Sequence, residues 1–134
     1  MARLPFMFNP VTITLKGCFE GDDFNISLEL DDNGYLLRGK RIRRVLIERP
    51  RILRRTVRVS SDWAVELLND LKNADIPLLP EEIYGCDGEF FTMTVGSDFG
   101  GATYKWWSDP PKGWESLPKI TSRMIDEFSK HLPK

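Results

Sequence analysis

Val11, Ile13 and Leu15 alternate with Thr12, Thr14 and Lys16, and Phe24, Ile26, Leu28 and Leu30 alternate with Asn25, Ser27, Glu29 and Asp31. A period of two with one apolar face describes two half-buried antiparallel strands. Glu20-Gly21-Asp22-Asp23 reads as the turn between them, and Asp32-Asn33-Gly34 supplies the Asn-Gly pair that suits a hairpin turn needing positive φ. A third strand is then expected to run back from Tyr35 to about Ile47, where Glu48-Arg49-Pro50-Arg51 interrupts it. Ile52 to Val59 reads as a fourth strand, because Pro50 cannot donate to a ladder and pushes its neighbour into extended or turn geometry.

The period then changes. Ser61 or Asp62 can cap a helix that carries Trp63, Leu67, Leu68 and Leu71 on one face and ends near Asn73 and Ala74, ahead of Pro77. A loop with Pro77, Pro80 and the Gly85-Cys86-Asp87-Gly88 turn leads to a second hairpin, Glu89 to Val95 and Ala102 to Trp107, joined through Gly96 to Gly101. After Asp109-Pro110-Pro111 and Gly113, a last amphipathic helix presents Leu117, Ile120, Met124, Ile125, Phe128 and Leu132 at three- and four-residue spacing. The expectation is an α+β fold: a four-strand meander, a helix, a hairpin and a helix, forming an antiparallel sheet of about six strands with both helices packed on one face. With 134 residues, 41% apolar and 29% charged, residues 1–134 are read as a single domain with a core that needs no metal or disulfide.

Cys18 and Cys86 are far apart and fit no ligand or redox motif, so they read as reduced thiols of a cytoplasmic protein. The first ten residues hold one arginine and an apolar stretch broken by Pro5, which is too short for a signal peptide. No run approaches the roughly 18 apolar residues of a membrane span, so a soluble chain with no membrane partner is expected.

Charge changes the picture more. Between Arg38 and Arg58 stand nine arginines and one lysine against a single acid, Glu48, a net of +9. The whole chain sums to −1, so the remaining 113 residues carry −10. On the fourth strand Leu53, Arg55, Val57 and Val59 share one face, and Ile52, Arg54, Thr56 and Arg58 the other. Arg54 and Arg58 should therefore point to solvent or a partner, while Arg55 must snorkel or find a carboxylate. On the third strand neither face is cleanly apolar, as expected of a bulged strand, one that projects beyond the helices, or one contacted on both sides.

Four readings of this band compete. Asp62, Glu66 and Asp70 recur every four residues beside the apolar stripe of the first helix, and could neutralise several arginines within the chain; Glu81, Glu82, Asp87 and Glu89 are further candidates. Against self-neutralisation stands the choice of residue: nine of ten cations are arginine, whose planar fork suits carboxylate or phosphate, whereas elsewhere Arg3 and Arg123 face seven lysines. That favours a protein partner with an acidic face. A basic ribbon can also enter the major groove of a nucleic acid, with Tyr104, Trp106 and Trp107 as stacking surface, but a body at −10 repels a polyanion and no nucleic-acid-binding signature accompanies the band. A membrane-surface role suits an amphipathic helix rather than a strand. Trp106 and Trp107, being adjacent on a strand, point to opposite faces, so one can be core and the other covered by a loop, a helix or a partner; the Pro110-Pro111 segment and Trp114 could seal either, and an exposed one, for which Trp106 is the candidate, would be an interface anchor.

Catalytic chemistry is thin. His131 is the only histidine, so neither a histidine triad nor a multi-histidine metal site can be built, and no metal or cofactor is expected. Asp31-Asp32-Asn33-Gly34 resembles the start of a calcium loop, but the ligand spacing stops there. Glu81 with Glu82, or Asp87 with Glu89, could form an acid/base pair of the kind that surface loops routinely hold. No Gly-rich phosphate loop precedes a helix.

The segment GCDGEFFTMTVGSDFGGATYKWWSDPPKGW, from Gly85 to Trp114, followed by the Leu117 to Leu132 helix, resembles an ending found in small bacterial proteins: an Asp-Gly turn, a hairpin closing on a Tyr-x-Trp-like cluster, Pro and Trp, then a last helix. Several such proteins resemble the immunity proteins of contact-dependent and secreted-toxin systems. The resemblance covers the C-terminal third and is architectural. It implies a small cytoplasmic inhibitor that binds one cognate toxin and blocks its active site. The expected function is thus a non-catalytic, immunity-type binding protein, with Arg54, Arg58, Arg49 and Arg51 first among its partner-facing residues, then Arg41, Arg43 and Arg44, together with Trp106. A nucleic-acid binder using the same ribbon and a small enzyme with another site are the competing classes.

Overall fold

The structure is a computed structural model and describes residues 8–17, 21–45, 47–81, 88–97 and 100–133. Six strands form one sheet: β1 (Phe8–Lys16), β2 (Gly21–Asp31), β3 (Gly34–Arg44), β4 (Arg51–Arg58), β5 (Phe90–Ser97) and β6 (Gly100–Trp107). Their order across the sheet is β4-β3-β2-β1-β5-β6, and each neighbouring pair is antiparallel. Helix α1 (Ser61–Lys72) follows β4, and α2 (Ser116–Ser129) follows β6. This is the expected α+β architecture, a meander extended on its far side by the second hairpin.

Register explains the layering. Val11, Ile13 and Leu15 on β1 face Leu28, Ile26 and Phe24 on β2 and Val95, Met93 and Phe91 on β5. That parity continues through Leu37 and Val57 at one edge and Tyr104 and Trp106 at the other. Ala64 and Leu67 of α1, with Leu117, Ile120, Met124 and Phe128 of α2, complete one buried cluster that draws on all six strands. Each fully buried Val, Leu, Ile, Phe or Met among them contributes roughly 1.5–3 kcal/mol, so the helical face holds the fold together. The opposite parity carries no helix among the described residues, although Glu29 and Leu36 at one end of it are buried: Thr12, Ser27 and Arg38 lie in one row with Thr94 and Thr103, and Thr14, Asn25 and Lys40 in the next with Thr92 and Lys105.

Several boundaries differ from the sequence expectation. Asp22 and Asp23 belong to β2 rather than to a turn, and pair across to Arg43 and Ile42. Carboxylates are tolerated there because Arg43 sits opposite Asp22 and Arg44 reaches Asp23 on the diagonal. The cap of α1 is Ser60, whose hydroxyl accepts the Trp63 amide at 3.1 Å, not Ser61 or Asp62. The third strand stops at Arg44 instead of running on to Ile47. Pro10 sits at a register shift between Phe8 and Val11, which is how an interior strand accommodates a residue without an amide proton. Cys18, Glu20, Leu46, Glu82, Gly85, Cys86 and Asp87, which carried some of the expectations above, lie outside the described residues.

Candidate interaction surface

Strands β3 and β4 form the edge hairpin that carries the arginine band. No residue from Arg38 to Arg44 or from Arg51 to Thr56 is buried, so the distal hairpin projects beyond the helices that cover the sheet. Pairing register divides its cations between two faces. Arg41, Arg43, Arg51 and Arg55 share the helical side, while Arg38, Lys40, Arg44, Arg54 and Arg58 lie on the open side.

Part of the band is neutralised within the chain, but not by the helix. Strand β2 supplies the acids: Glu29 accepts Arg38 Nε at 2.9 Å, Asp22 accepts Arg43 Nε at 2.9 Å and Nη2 at 3.2 Å, and Asp31 accepts both Nη atoms of Arg58 at 2.7 and 2.5 Å. Asp23 Oδ1 receives Arg44 Nη2 at 3.1 Å and the Gly17 amide at 2.9 Å, and Arg44 also donates to the Gly17 carbonyl. These bonds knot the ends of β1, β2 and β3. Arg51 lies 3.8 Å from Glu48 in a loose, exposed pair. Of the helical stripe expected to do this, Asp70 instead pairs with Arg123 of α2 at 2.6 Å, and Asp62 and Glu66 stand exposed with no ion pair among the described residues.

These contacts reorder the candidates. Arg58, Arg43 and Arg44 are structural first, because each already holds a carboxylate of β2. Arg41 donates to the Pro133 carbonyl at 2.9 Å and so ties down the chain after α2. Among the described residues, Lys40, Arg49, Arg54 and Arg55 have no carboxylate within ion-pair reach; Arg55, which sequence parity required to snorkel or find an acid, curls back to the Arg54 carbonyl at 2.8 Å. Trp106 is not the partner anchor expected from the sequence: only 3% exposed and stacked on Phe91 with centroids 5.4 Å apart, it belongs to the core and cannot anchor a partner. Trp107 is the tryptophan on the open face, 5.0 Å from Phe90. Trp114 seals the helical side, edge-on to Tyr104 and donating Nε1 to the Pro77 carbonyl at 3.0 Å.

Sequence reasoning missed two apolar features of the surface. Ile47, in the turn between β3 and β4, is 95% exposed, with Ile52 and Val45 also exposed beside it. Leu78 and Leu79, between Pro77 and Pro80, are exposed by 94% and 90%. The signal was present in the second case, since two leucines between prolines cannot join a strand or helix and so have no periodic face to bury.

The ion pairs shift the acids that make them. The Arg58 hydrogen bonds, with the Asn33 and Gly34 amides, hold the Asp31 carboxyl down at about 2, against an ordinary value of 3.8. Arg43 holds Asp22 below its ordinary value in the same way. Because both folded-state values are depressed, the stabilisation is fully present above about pH 4 and is lost as pH falls through the folded values. The thermal midpoint should therefore drop between about pH 4 and pH 2, and Asp31→Asn should flatten part of that drop. An unchanged slope in the variant would detach Asp31 from the hairpin's stability.

Among the described residues no group of three or more His, Cys, Asp or Glu could hold a metal ion, and no helix is long and apolar enough to cross a membrane. Comparisons with protein-family models, with curated proteins and with solved structures find no match to this chain.

Proposed function

We propose that this chain is a non-catalytic binding protein of the immunity type, a cytoplasmic inhibitor that neutralises a cognate bacterial toxin by docking its edge hairpin on an acidic face of that partner. The supporting observation is the composition of the distal hairpin: Ile47 and Ile52 stand exposed among Arg49, Arg51 and Arg54. Aliphatic anchors ringed by guanidinium forks suit a protein surface, where apolar contact fixes the complex and charge speeds the encounter. A polyanion would use the forks and leave Ile47 in water.

The test is affinity capture from the native cell with the full chain as bait, coupled to a protection assay against the captured protein. One acidic partner, released by salt and no longer toxic when this chain is co-expressed, is the expected result. Capture of nucleic acid alone, or a partner whose toxicity is unaffected, would defeat the proposal.

A further inference from the structure

The open face of the hairpin holds a groove of about 680 Å³. Its cross-strand geometry is regular. Asn25, Lys40 and Arg54 form one row over β2, β3 and β4, and Ser27, Arg38 and Thr56 form the next. Each row is polar throughout and carries at least one cation. Among the described residues the single carboxylate lining the groove is Glu29, which is 3% exposed and already accepts Arg38 Nε, and the terminal nitrogens of Arg38 make no hydrogen bond there. Lys40 and Arg54, directly opposite one another, have no carboxylate partner among the described residues. The groove is thus rich in donors and cations, and Glu29, its one acid among the described residues, is already engaged.

The spacing restricts what fits. The two rows are separated by two residues along each strand, about 6.6–6.8 Å. In an extended peptide, side chains at i and i+2 point to one side and are separated by that same distance. The groove crosses three strands, so its width is only about 10 Å. Past β2 these rows continue as Thr12, Thr14, Thr92, Thr94 and Thr103, with Lys105 their one further cation, so a nucleic-acid strand running past this width finds little to neutralise it, whereas a short acidic segment needs no more than the groove offers.

Resting on the proposed protein-binding function, we infer that this groove is a subsite for an extended partner segment with acids at alternating positions. One carboxylate sits over Lys40 and Arg54, and the next over Arg38 and Thr56. The intervening residue points away from the sheet. Arginine is suited to this role because its fork can hold a carboxylate at two points while its stem lies flat on the strand.

The experiment is an NMR titration of the full chain at low salt with a peptide alternating threonine and glutamate, an isomeric peptide whose glutamates are consecutive, and oligothymidylate. The alternating peptide should move the Gly39 backbone and Asn25 side-chain amides and bind more tightly than its isomer. The double variant Lys40→Gln, Arg54→Gln should weaken it on the order of tenfold, while Lys72→Gln with Lys119→Gln, exposed on the helices, changes it little. Equal affinity for the two peptides, no shift at those amides, or tighter binding of oligothymidylate in the groove would each overturn the inference. The two proposals fail separately: if Lys40→Gln, Arg54→Gln still captures the cellular partner undiminished, the groove assignment falls and the hairpin reading stands. If the wild-type chain captures no protein, the hairpin reading falls whatever the peptides do.

Discussion

Replacing Gly39 with valine should open the hairpin from the sheet and lower stability by about 3 kcal/mol or more, a fall in thermal midpoint on the order of 10 °C. Gly39 faces Ile26 across the β2–β3 ladder, where a Cβ would lie 2.3 Å from the Asn25 carbonyl oxygen, 2.9 Å from Ile26 Cα and 3.1 Å from its Cγ1. Two of those three atoms are backbone, so no rotamer change relieves the contact, and the strands themselves must separate. Separation would pull Arg38 and Arg43 away from Glu29 and Asp22, which sit on the other side of the same ladder. Gly100→Ala is the matched control, since a Cβ there meets nothing within 4 Å. Thermal melts of the two variants decide the matter. A Gly39→Val protein as stable as Gly100→Ala would mean that β2 and β3 are not in close register at this point.

The same ladder shows what alternation along a chain can and cannot reveal. Strand positions were legible because Val11-Ile13-Leu15 and Phe24-Ile26-Leu28 repeat every two residues, and the buried helix faces because Leu117, Ile120, Met124 and Phe128 repeat at three and four. Parity also held the answer for the two tryptophans: Ala102, Tyr104 and Trp106 form the apolar set of β6, against Thr103, Lys105 and Trp107, and reading that set through to its end would have placed Trp106 inside. Partners across space were not legible in this way. Periodicity identifies Asp62, Glu66 and Asp70 as one helical face, yet not which element that face meets, and Asp70 meets Arg123 of α2 rather than the band. Asp22 and Asp23 looked like turn residues because isolated acids disfavour strands. Their tolerance in β2 depends on Arg43 and Arg44, more than twenty residues away in the chain. The neutralising acids of the close pairs therefore all come from β2, but only Asp22 lies directly opposite its cation, Arg43; Asp23 and Glu29 reach Arg44 and Arg38 on the diagonal, and Asp31 reaches across β3 to Arg58 on β4.

That redistribution determines how the interface should be probed. Sequence parity ranks Arg54 and Arg58 together, but only Arg54 is without a carboxylate among the described residues; Arg58 is clamped by Asp31, which also accepts the Asn33 amide of the β2–β3 turn at 2.8 Å. Arg58→Glu would set two carboxylates against each other beside that turn, so any loss of binding would be mixed with loss of fold. Arg54→Glu combined with Arg55→Glu avoids this, because both side chains lie exposed on the edge strand and hold no acid. Against an acidic partner the double reversal replaces attraction by like-charge contact, which costs several kcal/mol and should weaken the complex on the order of a hundredfold to a thousandfold with the thermal midpoint unchanged. Much of the loss should appear in the association rate, and the gap between variant and wild type should narrow as salt rises from about 0.01 to 1 M, since screening shortens from about 30 to 3 Å over that range. Stopped-flow association with the captured partner measures both quantities. A variant that associates at the wild-type rate would place the contact elsewhere, with the exposed Leu78 and Leu79 the next surface to test.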